Sequence, residues 1–169
     1  MSIFLTSLPR SGIFPLEHWE SSDHELKTLD NLKRNISTHW YKHAMPETLE
    51  AHFILPKKSD FFEVLLATEN AGSYGVRVQS GSLYTFFDAL DGSRNILKQV
   101  VLPTQTEYSA IIDTTDDNLF MAFGGQLLST KEIPYKTLKK IGAATNLSLA
   151  EIKQFTVRNT EGELQKLVS

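Results

Sequence analysis

Cysteine is absent from the 169 residues of the chain, and that absence removes whole classes of chemistry. Without a thiol the chain cannot form a disulfide, use a cysteine nucleophile or hold a zinc ion through thiolates. Long apolar runs are also missing, because no stretch of about 18 consecutive apolar residues occurs. The sequence therefore predicts no membrane-spanning helix and no cysteine-based site.

The first 20 residues lack the continuous apolar segment of a secretory signal. Pro9, Gly12 and Pro15 interrupt the apolar residues before such a segment can form. This pattern favours a cytoplasmic protein with an irregular or extended segment over 1–20. The net charge of −3 is a modest acidic balance, which does not favour nucleic acid as a partner, and we expect no membrane partner.

Length and composition are those of one globular domain over 1–169. Hydrophobic residues make up 41% of the chain and charged residues 22%, close to the usual values for folded proteins. A chain of this size can bury roughly 70% of the surface that it exposes when extended. We therefore expect a self-sufficient core and no cofactor.

A long N-terminal helix is predicted over 23–44. Ser22 and Glu25 form a capping-box pattern, in which each side chain can bond the backbone amide of the other residue. Apolar residues then recur every three or four positions, the period of a helix with one buried face. They are Leu26, Leu29, Leu32, Ile36 and Trp40.

A second helical region, a C-terminal helical hairpin, is predicted over 134–169. Pro134 is suited to the first position of a helix because its missing N–H would have no partner there. Ser148 and Glu151 repeat the capping-box pattern and predict the start of another helix.

Between these helical regions, residues 52–125 alternate apolar and polar side chains, with turn signals about every ten residues. Short links make neighbouring strands antiparallel, so the sequence predicts a meander of about six strands. Some of these strands are apolar on both faces, so the sheet must be covered twice, either by helices on one side and its own strong curvature on the other, or by closure into a barrel. The predicted fold class is therefore α+β. The predicted strands are Phe61–Thr68, Tyr74–Gln79, Leu83–Asp88, Ile96–Leu102, Tyr108–Asp113 and Leu119–Phe123.

Histidines provide the main candidates for metal binding, and all five lie between positions 18 and 52. His39 and His43 are four residues apart on the predicted helix, a spacing that lets two imidazoles share a metal ion. However, Trp40 stands where the zinc-protease pattern needs a glutamate base. We expect no bound metal, and a metal-dependent enzyme using His39 and His43 is kept only as an alternative function.

Other catalytic motifs are missing as well. The chain has neither of the glycine-rich phosphate-binding patterns GxGxxG and GxxxxGK, nor the GxSxG pattern of a serine nucleophile. The sequence therefore favours a binding protein over an enzyme.

The function favoured by the sequence is the binding of another protein by an inhibitor, an immunity-type protein or a chaperone-like module. Residues 51–130 carry 5 basic and 9 acidic groups together with many aromatic residues, and an apolar surface rimmed by charge suits protein association. We expect a protein partner, best a basic one. The predicted contact residues are Tyr84, Phe86, Asp113, Asp116 and Asp117.

A carrier of a small apolar ligand is a further alternative. If the meander closes into a barrel, aromatic and sulfur-containing side chains would line its cavity. The predicted lining residues are Tyr84, Phe86, Phe120 and Met121.

Overall fold

Two antiparallel β-sheets make up the fold in the computed structural model, which describes residues 13–27, 33–69, 72–103, 105, 107–114, 118–131, 133, 135–158 and 164–168. The strands are β1 (Trp19–Lys27), β2 (Lys33–Tyr41), β3 (Thr48–Phe53), β4 (Phe61–Thr68), β5 (Ser73–Gln79), β6 (Ser82–Asp88), β7 (Arg94–Val101), β8 (Tyr108–Asp113), β9 (Phe120–Phe123), β10 (Gln126–Leu128), β11 (Leu138–Thr145), β12 (Ile152–Arg158) and β13 (Leu164–Val168). The seven-stranded sheet has the order β1-β2-β11-β4-β5-β6-β7, and the six-stranded sheet has the order β10-β9-β8-β3-β12-β13.

The main core lies between the inner faces of the two sheets. Phe53 of β3 stacks on Phe62 of β4 with ring centroids 4.6 Å apart, which joins one sheet to the other. Phe155 of β12 meets Phe62 edge to face at 6.1 Å. None of these three side chains has exposed surface. The chain is therefore a β-sandwich, in which each sheet buries one face against the other.

The six strands predicted between Phe61 and Phe123 are all present as β4 to β9, with small differences at their ends. The alternation that predicted them is visible in β5, where Val76 and Val78 are buried and Arg77 is partly exposed. They do not form one continuous meander, because β4 to β7 belong to one sheet whereas β8 and β9 belong to the other.

The prediction of a long helix over 23–44 is wrong. Most of this range belongs to β1 and β2, which pair antiparallel from Trp19 opposite Tyr41 to Lys27 opposite Lys33. Ser22 lies inside β1, so no helix starts there. The spacing of apolar residues was compatible with a helix, but β-branched and aromatic residues gather at the end of this range, at Ile36, Thr38, Trp40 and Tyr41. Pairing with neighbouring strands overrides a local helical pattern of that kind.

The predicted helical hairpin over 134–169 is also wrong, because this region supplies β11, β12 and β13. β11 is a central strand between β2 and β4, and its residues from 141 to 145 are all buried. A short run that is buried on both sides has no period that distinguishes a strand from a buried helix. Pro134 lies outside the described residues.

The second capping box is present, although it opens only one turn of 3-10 helix at Leu149–Glu151. The backbone N–H of Ser148 donates to Oε1 of Glu151 at 3.0 Å, and the Ser148 hydroxyl bonds the other carboxylate oxygen. The chain then enters β12 directly, so the capping pattern marks a turn between strands rather than a helix.

The barrel that the sequence left open as an alternative is not formed, because the described strands make two open sheets with edges at β1, β7, β10 and β13. Strands such as β6 that are apolar on both faces are covered by the opposite sheet on one side and by a second apolar cluster on the other. Within the described ranges, no helix has the length and apolar character needed to cross a membrane.

Candidate functional site

The outer face of the seven-stranded sheet carries a second apolar cluster, separate from the main core. Four of its side chains are buried, and three aromatic or aliphatic side chains that are partly exposed pack against them. We call these seven residues the outer-face cluster: Leu65, Tyr84, Phe86, Ala144, Trp40, Phe61 and Ile96. A face that points away from the main core and still buries aromatic rings is a candidate site.

Strand register assembles the outer-face cluster in rows across the sheet. Residues two apart on a strand share a face, so the register of one row predicts the next. One row runs Trp40, Gly142, Leu65, Gly75 and Phe86 through β2, β11, β4, β5 and β6. The adjacent row runs Ala144, Glu63, Arg77 and Tyr84 through β11, β4, β5 and β6.

Two glycines allow aromatic rings to lie close against the backbone in the first row. A Cβ atom added at Gly142 would lie 2.6 Å from Cε3 of Trp40, and one added at Gly75 would lie 2.2 Å from Cζ of Phe86. Both distances are far below van der Waals contact, so only glycine permits this approach. The rings therefore occupy the space that side chains at these two positions would fill.

Arg94, which pairs with Asp88 at the start of β7, is the centre of a charge network that extends to Glu63 and Tyr84 of the second row. Its Nη1 and Nη2 donate to the two carboxylate oxygens of Glu63 at 2.7 and 3.1 Å. Its Nε and Nη2 donate to the two oxygens of Asp88 at 2.7 and 2.8 Å, and Nη1 also donates to the Tyr84 hydroxyl at 3.3 Å. These bonds use all five N–H groups of the guanidinium. The Arg94 and Glu63 side chains are only 4% and 0% exposed.

The charge of Arg94 is stabilised in place. Burial opposes that charge, but hydrogen bonds to Asp88 and Glu63 and the Coulomb attraction of both carboxylates outweigh it, so the pKa of Arg94 is raised above its ordinary value. The guanidinium also lies 3.5 Å from the centroid of the Phe86 ring. Arg94 thus remains protonated and holds the two carboxylates in one geometry.

Arg77 is the guanidinium of this network that reaches solvent, with 18% of its side chain exposed. Its Nη1 donates to the Tyr84 hydroxyl at 3.2 Å, and its Nε lies 3.2 Å from Oε2 of Glu63. The guanidinium carbon is 3.9 Å from the centroid of the Phe61 ring. Among the described residues, one N–H of Nη1 and both N–H groups of Nη2 have no acceptor, and the buried Nε, although close to Glu63, makes no hydrogen bond. This site therefore offers directed donors beside aromatic rings.

The predicted contact residues are divided between the two sheets. Tyr84 and Phe86 belong to the outer-face cluster and are 6% and 0% exposed, so they support the charge network rather than form a surface. Asp113 lies on β8 of the six-stranded sheet, opposite Thr48 of β3. Asp116 and Asp117 lie outside the described residues. Contact of these residues with a partner stays a prediction.

The other predicted residues are likewise separated. Phe120 is 47% exposed, whereas Met121, the next residue of β9, is buried in the main core. The two do not line one cavity with Tyr84 and Phe86, which lie on the outer face of the other sheet. Adjacent residues of a strand point to opposite faces, which is why a barrel lining does not form.

His39 and His43 are not brought together, because the predicted helix is absent: His39 lies on the strand β2 and His43 lies two residues beyond its end. His39 stacks on Phe14 with centroids 4.2 Å apart, while Nε2 of His43 lies 3.0 Å from Nδ1 of His18. Within the described residues, no group of three His, Asp or Glu side chains is placed to hold a metal ion.

Sequence reasoning missed Glu63, Arg77 and Arg94 as site residues. One signal was available: Glu63 is a lone charge in the run of β4, where six of the other seven side chains are apolar. A charge in a buried strand requires a buried partner, so its presence predicts a cation on a neighbouring strand.

A contrasting cluster lies on the six-stranded sheet. Nε2 of His52 is 2.8 Å from Oε1 of Glu50, and its Nδ1 is 3.6 Å from Oε1 of Glu107. These side chains are 27%, 43% and 53% exposed, respectively. Contacts between polar side chains with this exposure contribute little to stability because water competes with them.

The sequence matches no family model and no curated protein. Among solved structures, the chain is similar to the carbohydrate-binding module CBM66 from Bacillus subtilis, with a TM-score of 0.50 and 11% identity over 84% of this chain and 92% of that one. Sheep galectin-11 in complex with glycerol has a TM-score of 0.45 and 7% identity over 65% and 92%. The family-7 polysaccharide lyase alginate lyase A1-II' has a TM-score of 0.44 and 15% identity over 89% and 99%.

At these identities, the likeness to the carbohydrate-binding module shows a shared fold alone. No conclusion is drawn from the two structures with lower TM-scores. The observed two-sheet fold removes the structural basis of the functions predicted from the sequence. The inhibitor, immunity-type protein or chaperone-like module was predicted for an α+β domain, the carrier for a barrel and the metal-dependent enzyme for a long helix, and the described residues form none of these.

Proposed function

We propose that the chain binds saccharides on the outer face of its seven-stranded sheet, at the outer-face cluster and Arg77. The observation that carries this proposal is the placement of Arg77, whose unused N–H groups lie against Phe61 and beside a buried charge network. The fold shared with a carbohydrate-binding module agrees with it. Fold likeness alone does not establish a function, so the proposal depends on the chemistry of the site.

Saccharides present two kinds of surface, and the site offers a complement to each. Neighbouring hydroxyl oxygens can accept parallel hydrogen bonds from the fork of a guanidinium such as Arg77. The C–H face of a sugar ring is apolar and flat enough to pack on an aromatic ring, and Trp40 and Phe61 are partly exposed here. A ligand site is usually lined by apolar side chains together with a few polar groups that fix the orientation of the ligand.

The network makes the site rigid before a ligand arrives. The Tyr84 hydroxyl accepts from both Arg77 and Arg94, and Arg94 is itself held by two carboxylates. Arg77 therefore has a fixed orientation relative to Phe61. Less side-chain ordering is then needed on binding, which improves affinity.

The face is long enough for more than one sugar ring. Trp40 aligns with Leu65 across β11, and Phe61 lies four residues from Leu65 along β4. With the usual spacing between strands and along them, Trp40 and Phe61 are about 16 Å apart. We therefore expect oligosaccharides to bind more tightly than single sugars.

A glycan panel tests this proposal. We expect the wild-type chain to bind at least one oligosaccharide, and we expect Trp40→Ala and Arg77→Ala each to weaken binding about tenfold, measured by isothermal titration calorimetry. The matched control is Phe120→Ala, an exposed aromatic of the six-stranded sheet, which should bind like wild type. Thermal unfolding of each variant checks that its fold is retained.

Two results would contradict the proposal. If the wild-type chain binds nothing on a broad panel, the function is wrong. If Phe120→Ala loses binding while Trp40→Ala keeps it, the site lies on the other sheet.

Tryptophan fluorescence gives an independent measurement of where the ligand lies. The chain has two tryptophans, of which Trp19 is fully buried in the main core and Trp40 is partly exposed in the outer-face cluster. A bound saccharide should shift the emission of the wild-type chain, and Trp40→Phe should abolish that shift. A shift that persists in Trp40→Phe would place the ligand away from Trp40.

A further inference from the structure

We infer that the saccharide of this site is uncharged, and that the site disfavours sugars carrying a carboxylate or sulfate. The inference rests on the proposed function and concerns the class of ligand. It follows from how the charges of the outer face are balanced and from which N–H groups remain unused.

The charges of the network sum to zero. Glu63 and Asp88 supply two negative charges, and Arg77 and Arg94 supply two positive ones. The Glu63 side chain has no exposed surface and that of Asp88 is 12% exposed, so both carboxylates act in a medium that screens poorly. The site therefore has no excess positive charge to offer an anion.

Arg94 cannot provide a binding site for an anion. All five of its N–H groups are used by Glu63, Asp88 and Tyr84. A ligand carboxylate could bond it only by displacing one of these buried acceptors, which would leave that acceptor without a partner at a large cost. Arg94 is thus a positioning residue, and Arg77 is the guanidinium left with unused N–H groups.

The surroundings of Arg77 favour a neutral acceptor. Its Nε lies 3.2 Å from Oε2 of Glu63, so an anion at Arg77 would also lie close to a buried carboxylate. Repulsion by Glu63 offsets the attraction that normally makes guanidinium and carboxylate a strong pair. A pair of hydroxyl groups takes the same N–H donors and brings no charge with it.

The charge of a neighbouring lysine on this face is also balanced by a carboxylate. Lys140 of β11 lies two residues before Gly142, and its Nζ is 3.6 Å from Oε1 of Glu20. Both side chains are about half exposed, so water screens what field remains. Lys140 therefore adds little attraction for an anionic ligand.

Matched pairs of oligosaccharides test the inference. Each pair has the same ring stereochemistry and linkage, and C6 is a carboxylate in one member and a hydroxymethyl group in the other, as in oligomers of C6-oxidised cellulose and of cellulose. We expect the neutral member of a pair to bind at least about tenfold more tightly, with little dependence on salt. Calorimetry at low and high ionic strength measures both quantities.

A charge variant sharpens the test. Asp88→Asn removes one negative charge from the network and keeps a side chain of similar shape, so the preference for the neutral member should narrow by at least about fivefold. The matched control is Glu50→Gln on β3 of the six-stranded sheet, which should leave the preference unchanged. Thermal unfolding verifies that both variants are folded.

The outcomes separate the two proposals. Tighter binding of the acidic member, or an unchanged preference in folded Asp88→Asn, overturns the inference and leaves saccharide binding standing. Binding of neither member of any pair overturns the proposed function and this inference with it.

Discussion

The outer faces of the two sheets both carry carboxylates next to side-chain nitrogen groups, yet they differ in burial. On the seven-stranded sheet Arg94 and Glu63 are 4% and 0% exposed and bonded in a fixed geometry. On the six-stranded sheet His52 and Glu50 are 27% and 43% exposed. The same kind of pairing is therefore a rigid scaffold on one sheet and a solvated contact on the other.

Burial causes this difference between the two sheets. It raises the free energy needed to remove the charges from water, and it strengthens the attraction between them. A buried charge that loses its partner has no water to replace it, whereas an exposed one is rehydrated at once. The two outer faces also differ in packing. Aromatic rings cover the outer face of the seven-stranded sheet, and two glycines leave the space that these rings occupy. We expect substitutions on the two faces to differ accordingly.

The largest effect is expected from Arg94→Ala. It leaves Glu63 and Asp88 buried without their main partner, and we expect a loss of about 3–5 kcal/mol in the free energy of unfolding. The control on the other sheet is His52→Ala, expected to cost less than about 1 kcal/mol. Chemical denaturation measures both, and equal losses would show that the two faces do not differ as described.

The packing difference is tested at the glycines. Gly75→Ala and Gly142→Ala should each destabilise the chain by about 1–3 kcal/mol, because the new methyl group overlaps Phe86 or Trp40. Combining Gly142→Ala with Trp40→Ala should remove most of the Gly142→Ala cost in a double-mutant cycle. Additive costs in that cycle would mean that Trp40 does not lie against Gly142.

A pH-dependent effect of intermediate size is expected at the turn that leads from β11 to β12. Hydrogen bonds from Ser148 lower the pKa of Glu151 below its ordinary 4.5, so the unfolded chain binds the proton more readily than the folded one. The stabilisation is therefore present above pH 4.5 and is lost as the pH falls through the lowered value.

Ser148→Ala provides the measurement. It should cost about 1 kcal/mol at neutral pH, because the carboxylate of Glu151 loses a hydrogen-bond partner. Urea denaturation at several pH values should show this cost shrinking below pH 4.5. A cost that stays constant down to the acid limit of the experiment would exclude the charge of Glu151 as its cause.

The smallest effect is expected at the exposed apolar residues of the six-stranded sheet. Phe120 and Leu127 are 47% and 70% exposed, so replacing either by serine should change stability by less than about 0.5 kcal/mol. The variant for comparison is Phe86→Leu on the other sheet. It should lower the stability more, because the Phe86 ring is fully buried under Arg94. Thermal unfolding ranks the three variants.

The strands β4 to β9 in the central part of the chain could be predicted from the sequence because each one shows its own local pattern of side chains. In β5 the alternation of Val76, Arg77 and Val78 is visible without knowledge of any other strand. Turn residues bound these strands, and side-chain alternation is a property of the strand alone. The absence of cysteine likewise excluded disulfides and thiolate sites without reference to the fold.

The strands at the two ends of the chain could not be predicted in this way. In β2 the apolar residues fall at helical spacing, and in β11 the burial of residues 141 to 145 leaves no alternation to read. What makes both segments strands is hydrogen bonding to partners far away in the sequence, such as Ala143 with His39 and Val64. Local propensity is too weak to decide against such pairing.

The candidate site, too, could be predicted in part from the local sequence and in part only from the tertiary structure. The sequence determined by itself that β5 and β6 are strands and that Tyr84 and Phe86 share one face of β6, because alternation along a strand is local. Only the tertiary structure decided that this face would be buried under Arg94, and that Arg94 would bond Glu63, which is 31 residues away from it in the chain. Sheet register sets that contact, and register depends on which strands pair across the whole fold.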